Sequence, residues 1–215
     1  MKKIRLAVIM ILTLSMLFSS TVFATSPSKA VKGVTPYDEF SSFGIDGNMF
    51  LIVLVRNDSM YDCAVYMQAS SFTPKRKKLE TVKSSLILLG SGDSYALVAP
   101  FTKASDSATN YDYNLIVDKD MDNYLDQPCT ELLDAKFSDD GNGTVTVYGT
   151  NKSSIYTIEA MAIVLFYEDD KMVDFSEMYL SNDTDLLLSP GEMTTEKGVT
   201  TYSYDASEIL INAVS

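Results

Sequence analysis

The chain of 215 residues has no histidine, no tryptophan, only two cysteines, and far fewer basic than acidic side chains. Each shortage excludes something. Without His there is no Ser-His-Asp or Cys-His nucleophilic system, and no His-ligated zinc or copper site. His also supplies most general acid–base catalysis, so the sequence reads as a protein that is not an enzyme. Without Trp, any aromatic stacking platform must be built from the 13 tyrosines. No Gly-x-x-x-x-Gly-Lys or Gly-x-Gly-x-x-Gly stretch occurs, so the familiar phosphate-cradling loops are missing. With 17 basic against 29 acidic residues the net charge is −12, which repels nucleic acid and anionic membranes. The acids fall mostly in turn-like stretches and read as solvated surface charge. A glycan hydrolase built on paired carboxylates is the catalytic alternative.

Long apolar runs are also scarce. Lys2, Lys3 and Arg5 precede an apolar stretch from Leu6 to Phe18, broken by Thr13 and Ser15. Val22-Phe23-Ala24 then offers small residues at −3 and −1. The pattern predicts a bacterial secretory signal peptide over residues 1–24, cleaved after Ala24. The stretch falls short of the roughly 20 residues a spanning helix needs. No Cys follows it to take a lipid anchor, and Ile209 to Ser215 carries neither a wall-sorting motif nor a hydrophobic tail. The expected product is secreted and extracellular, with no membrane span after cleavage.

What is present is a repeat. Val53-Leu54-Val55-Arg56-Asn57-Asp58-Ser59 matches Val147-Tyr148-Gly149-Thr150-Asn151-Lys152-Ser153, and Leu89-Gly90-Ser91-Gly92 matches Leu188-Ser189-Pro190-Gly191. Phe43 to Asn48 is set against Phe137 to Asn142, and Tyr111-Asp112-Tyr113 against Tyr202-Ser203-Tyr204. Asn57 and Asn151 read as structural turn residues, because an Asn side chain bonds nearby backbone. Strand-like segments recur in both copies. In the first they are Met49–Val55, Cys63–Ser70, Lys78–Val82, Ser85–Leu89, Ser94–Ala99 and Tyr111–Val117. In the second they are Thr144–Tyr148, Ile158–Phe166, Val173–Tyr179, Leu186–Leu188, Thr200–Tyr204 and Ile209–Val214. Ile158, Ala160, Ala162, Val164 and Phe166 alternate at period two, as in a strand with one buried face. Met161, Ile163 and Leu165 are apolar too, so this strand is expected to be central. About seven short strands per copy predict an all-β protein of two tandem immunoglobulin-like β-sandwiches. The expected division is a flexible leader over 25–35, a first sandwich over 36–124 and a second over 125–215.

The second copy resembles the FxLYD-type immunoglobulin-like modules of secreted bacterial proteins. The residues carrying the resemblance are Val147-x-Gly149-x-Asn151-x-Ser153, the strand ending Phe166-Tyr167-Glu168-Asp169, and Leu188-Ser189-Pro190-Gly191-Glu192. The first copy departs at Arg56 and at Gly90-Ser91-Gly92. The resemblance implies an extracellular accessory or adhesive domain and brings no catalytic residues.

Three groups are candidates for chemistry or recognition. Asp118, Asp120, Asp122 and Asp126 fall at positions 1, 3, 5 and 9 of a calcium-type loop. Asn123 replaces the glycine and Cys129 the final Glu, so a metal-free acidic linker is the other reading; no further cofactor is expected. Cys63 and Cys129 in an exported chain suggest one disulfide, contributing about 4 kcal/mol by loop closure; the alternative is one buried and one exposed thiol. Thr157 stands where the first copy has Cys63. Lys75-Arg76-Lys77-Lys78 is the basic cluster, in a turn whose counterpart is the acidic Glu168-Asp169-Asp170. It is read as a partner-binding or steering element, or as a solvated turn. The functional expectation is a non-catalytic binding or accessory protein of the bacterial envelope or extracellular space. Its partner would be a protein or a polysaccharide, not nucleic acid. A self-assembling structural or adhesion subunit is the alternative.

Overall fold

Two segments, Met49–Val55 and the middle of Ile158–Glu168, are apolar at consecutive positions rather than at alternate ones. A strand with that pattern needs apolar neighbours on both faces. The computed structural model, which describes residues 30–43, 48–103, 110–182 and 186–215, supplies them. The signal peptide with its cleavage point, and repeat residues 44–47, lie outside the described residues.

The protein is all-β. The first copy contains β1 (Val34–Phe43), β2 (Met49–Asn57), β3 (Cys63–Phe72), β4 (Lys78–Lys83), β5 (Ile87–Leu89), β6 (Ser94–Phe101) and β7 (Asn110–Asp118). The second contains β8 (Leu133–Asp139), β9 (Thr144–Asn151), β10 (Ile158–Glu168), β11 (Lys171–Tyr179), β12 (Leu187–Leu188), β13 (Met193–Val199) and β14 (Ala206–Val214). Each copy forms two antiparallel sheets, and the topologies coincide. In the first, β1-β2-β6 faces a sheet in which β3 pairs with β4, β5 and β7. In the second, β8-β9-β13 faces a sheet in which β10 pairs with β11, β12 and β14. The repeat is therefore a repeat of strand pairing, and each copy is a β-sandwich.

The sandwiches are stacked. The even face of β10, Ile158 to Phe166, packs into the second core with Val145, Val147 and Leu188. The odd face, Ile163 and Leu165, joins Met172 and Leu210 in the first core, with Phe175 packed alongside. Phe50 of β2 meets Phe175 of β11 edge to face at 5.6 Å, and alternation puts Ile52 and Leu54 on the same face of β2. The inner sheets of the two copies are thus covered on both sides. Asn212 of β14, itself buried, donates from Nδ2 to the Leu88 carbonyl of the first copy at 2.7 Å.

Pairing corrects several expectations. Cys63 pairs with Leu89 and Ile158 with Leu188, so the counterpart of Cys63 is Ile158 and not Thr157. The loop before β10 is one residue longer than the loop before β3. Phe43 pairs with Met49, whereas Phe137 pairs with Val147, so those two are not equivalent. Thr200 to Tyr204 is a loop. Tyr204 folds back onto Phe166, with ring centroids 5.0 Å apart, and its hydroxyl donates to Asp139 Oδ1 at 2.6 Å.

The leader ends earlier than expected. Val31 and Val34 exchange backbone hydrogen bonds of 2.9 Å around Lys32 and Gly33, both at positive φ, and Val34 is fully buried. Gly33 lies so close to Ser59 that an added Cβ would sit 2.8 Å from the Ser59 Cβ. Glycine satisfies both the conformation and the approach.

Candidate functional site

Each copy builds a loop clamped in the same way, one residue longer in the second. In the first, Asn57 Nδ2 donates to the carbonyls of Tyr61 (2.8 Å), Leu89 and Gly90 (both 3.1 Å), and its Oδ1 accepts from the Ser59 N–H. In the second, Asn151 Nδ2 donates to Tyr156 and Leu188 carbonyls, both at 2.8 Å, and Oδ1 accepts from the Ser153 N–H. Both asparagines are buried. A buried amide that fills its hydrogen-bonding capacity fixes the backbone it binds, because losing a partner costs desolvation. What the clamp displays is an aliphatic residue followed by tyrosine: Met60-Tyr61 in one copy, Ile155-Tyr156 in the other. Met60 is 80 % exposed, Tyr61 63 %, Ile155 72 % and Tyr156 54 %.

The junction between β7 and β8 starts beside one displayed loop and ends beside the other. Lys119 Nζ lies 5.8 Å from the centre of the Tyr61 ring, and the Lys152 N–H donates to the Leu132 carbonyl at 2.8 Å. Between them Leu125 is fully exposed. Pro128 bridges to Val214, and the Cys129 N–H donates to the Ala213 carbonyl at 2.8 Å.

The junction does not assemble the expected calcium ligands. Asp118 Oδ1 accepts the Asp120 N–H at 3.0 Å and Oδ2 accepts the Tyr124 hydroxyl at 3.4 Å. A 3-10 turn at Met121–Asn123 interrupts the loop, and Asp120, Asp122 and Asp126 are exposed. Among the described residues no group of three His, Cys, Asp or Glu could hold a metal. In this arrangement Asp118 closes a turn.

Cys63 and Cys129 are free thiols, both buried. The bridge is not formed in this structure, and Cys129 is not the exposed thiol of the alternative. Cys63 belongs to β3, within 3.8 Å of the Leu89 carbonyl. Burial pushes its pKa up to about 11, which leaves it unreactive at neutral pH. Cys129 precedes the second 3-10 turn, and burial raises it as well.

Lys75, Arg76, Lys77 and Lys78 are exposed on the β3–β4 turn, where Thr73 bonds Lys77 and Arg76 takes positive φ. Neither ion pair formed among the described residues, Arg56–Asp58 and Lys136–Asp134, involves them. The corresponding β10–β11 turn is tight, with Asp169 and Asp170 both at positive φ, the geometry that suits a two-residue hairpin.

Two features escaped sequence reading. The clamped loops were signalled by an aliphatic-Tyr pair after each repeated Asn-x-Ser, but exposure is not legible from sequence. The second is Glu39 of β1, whose two carboxylate oxygens are buried without hydrogen-bond partners. Burial raises its pKa; the nearby Tyr113 hydroxyl pulls it back without reaching hydrogen-bond geometry.

No family model matches the chain, and no curated protein matches it. Among solved structures, red sea bream transglutaminase aligns with 86 % of this chain at 11 % identity and a TM-score of 0.25. The chain spans 29 % of that protein's length.

Proposed function

We propose that this is a secreted, non-catalytic binding protein of the bacterial envelope or extracellular space, built from two immunoglobulin-like modules of FxLYD type. It recognises a protein or polysaccharide partner through the surfaces of its sandwiches. One observation carries the reading: both copies hold an exposed aliphatic-Tyr pair on the equivalent Asn-clamped loop. Large apolar side chains repeatedly displayed to solvent are a feature of recognition surfaces. The net charge of −12 favours a partner that is not polyanionic.

The test has two arms. The full chain is expressed in a secreting bacterium, and medium and cells are examined by intact mass. A product beginning at Thr25 in the medium is expected. The purified product is then sedimented with isolated cell walls and with medium polymers. Retention of the unprocessed chain in cells, or no co-sedimentation with either fraction, would refute the reading.

A further inference from the structure

We infer that Tyr61 and Tyr156, with Met60 and Ile155, form a two-point docking site for a neutral polysaccharide; this rests on the binding reading above. The two copies have kept few identities, so a shared exposed feature needs a cause. The shared buried features have one in the fold: the Asn clamps satisfy backbone carbonyls in both cores. The tips have none, since Tyr61 and Tyr156 are both mainly exposed. Each is carried on a loop whose backbone is held by its own asparagine. Ordering such a tip on binding therefore costs little entropy.

Two equivalent sites in one rigid body suit a ligand that itself repeats. The body is rigid because the sandwiches share buried apolar packing and the Asn212–Leu88 hydrogen bond. A polymer engaging one tip meets the second at high effective concentration. Charge selects the polymer. The chain carries −12, so polyanions are repelled. Beside the first tip Asp58 is already paired with Arg56, and Asp62 accepts the Ser91 N–H through Oδ1. A sugar ring offers an apolar face for Tyr and hydroxyl donors for the remaining lone pairs of Asp62. Ser154 and Thr157 offer exposed hydroxyls beside the second tip. Lys119 lies over the Tyr61 ring and helps to orient it.

Native electrophoresis through gels cast with mixed-linkage β-glucan, hydroxyethylcellulose or starch tests this, with polygalacturonate as the anionic comparison. The parent chain is expected to be retarded by at least one neutral polymer, equally with and without 0.5 M NaCl. Tyr61→Ala and Tyr156→Ala should each weaken retention about tenfold and the double variant abolish it, whereas Tyr61→Phe retains it. Unchanged thermal midpoints establish that the variants fold. Retention of the double variant at parental strength overturns the tip site while leaving a binding protein. So does retardation that salt abolishes or that only polygalacturonate produces. Sedimentation with cell walls but no retardation by any neutral polymer overturns the ligand class alone. Absence of both sinks this inference and the binding reading together.

Discussion

At the scale of single residues, Glu39 and the two clamp asparagines show opposite solutions to burying a polar group. Asn57 and Asn151 reach every partner they need, so truncation leaves several backbone carbonyls unsatisfied. Asn57→Ala and Asn151→Ala should each cost about 2–3 kcal/mol in denaturant unfolding; a loss below about 0.5 kcal/mol would show that the loops do not depend on the clamp. Glu39 lacks partners for its oxygens, and burial holds its folded pKa above the ordinary carboxylate range. The folded state therefore keeps the proton longer than the unfolded state. This contribution favours folding below the unfolded pKa and is lost as pH rises through the folded value. Glu39→Gln, neutral at every pH, should raise the thermal midpoint at pH 7 and leave it nearly unchanged at pH 3. An equal shift at both values would assign the effect to packing rather than charge.

At the scale of elements, β10 carries the clearest consequence of the stacked architecture. Its two faces serve different cores, Val164 its own and Ile163 the neighbour's. Ile163→Ala should cost about 3 kcal/mol, comparable to a truncation in a sandwich interior. Gln68→Ala, on an exposed position of β3, should cost almost nothing. Urea unfolding of the parent and both variants decides it; an Ile163→Ala loss no larger than that of Gln68→Ala would mean the inner sheets are not coupled. Strands of this kind were legible in the sequence, because the unbroken apolar runs at Met49–Val55 and Met161–Phe166 suit a sheet covered on both faces. The first strand of each copy, and β13 (Met193–Val199) in the second, were not. Val34–Phe43 carries Pro36, acids and serines, and it bends at a register shift beside Pro36. An edge strand tolerates all of these, so it lacks the signature of a central strand. Tyr204 misled in the other direction: its aromatic, strand-like signal comes from capping the end of a sandwich. The acidic junction reads two ways in sequence, because alternating aspartates serve a tight turn as well as they serve a cation.

At the scale of the whole molecule, the seam between the sandwiches has the character of a core. Phe50, Ile163, Leu165, Met172 and Phe175 pack in one cluster, with Asn212 hydrogen-bonded across. Calorimetry should therefore show one unfolding transition with equal calorimetric and van't Hoff enthalpies; two resolved transitions would mean that the copies melt independently. The stack also sets an order of events in time. Ribosomes add about 5–20 residues per second, and β10 is made well after β6 completes the inner sheet of the first copy. For about 3–11 seconds at that pace, the Phe50, Ile52 and Leu54 face has no partner strand behind it. A chain paused or truncated before β10 would present a broad sticky sheet to its neighbours, so proteostasis factors would meet this protein through the surface that its finished form hides most completely.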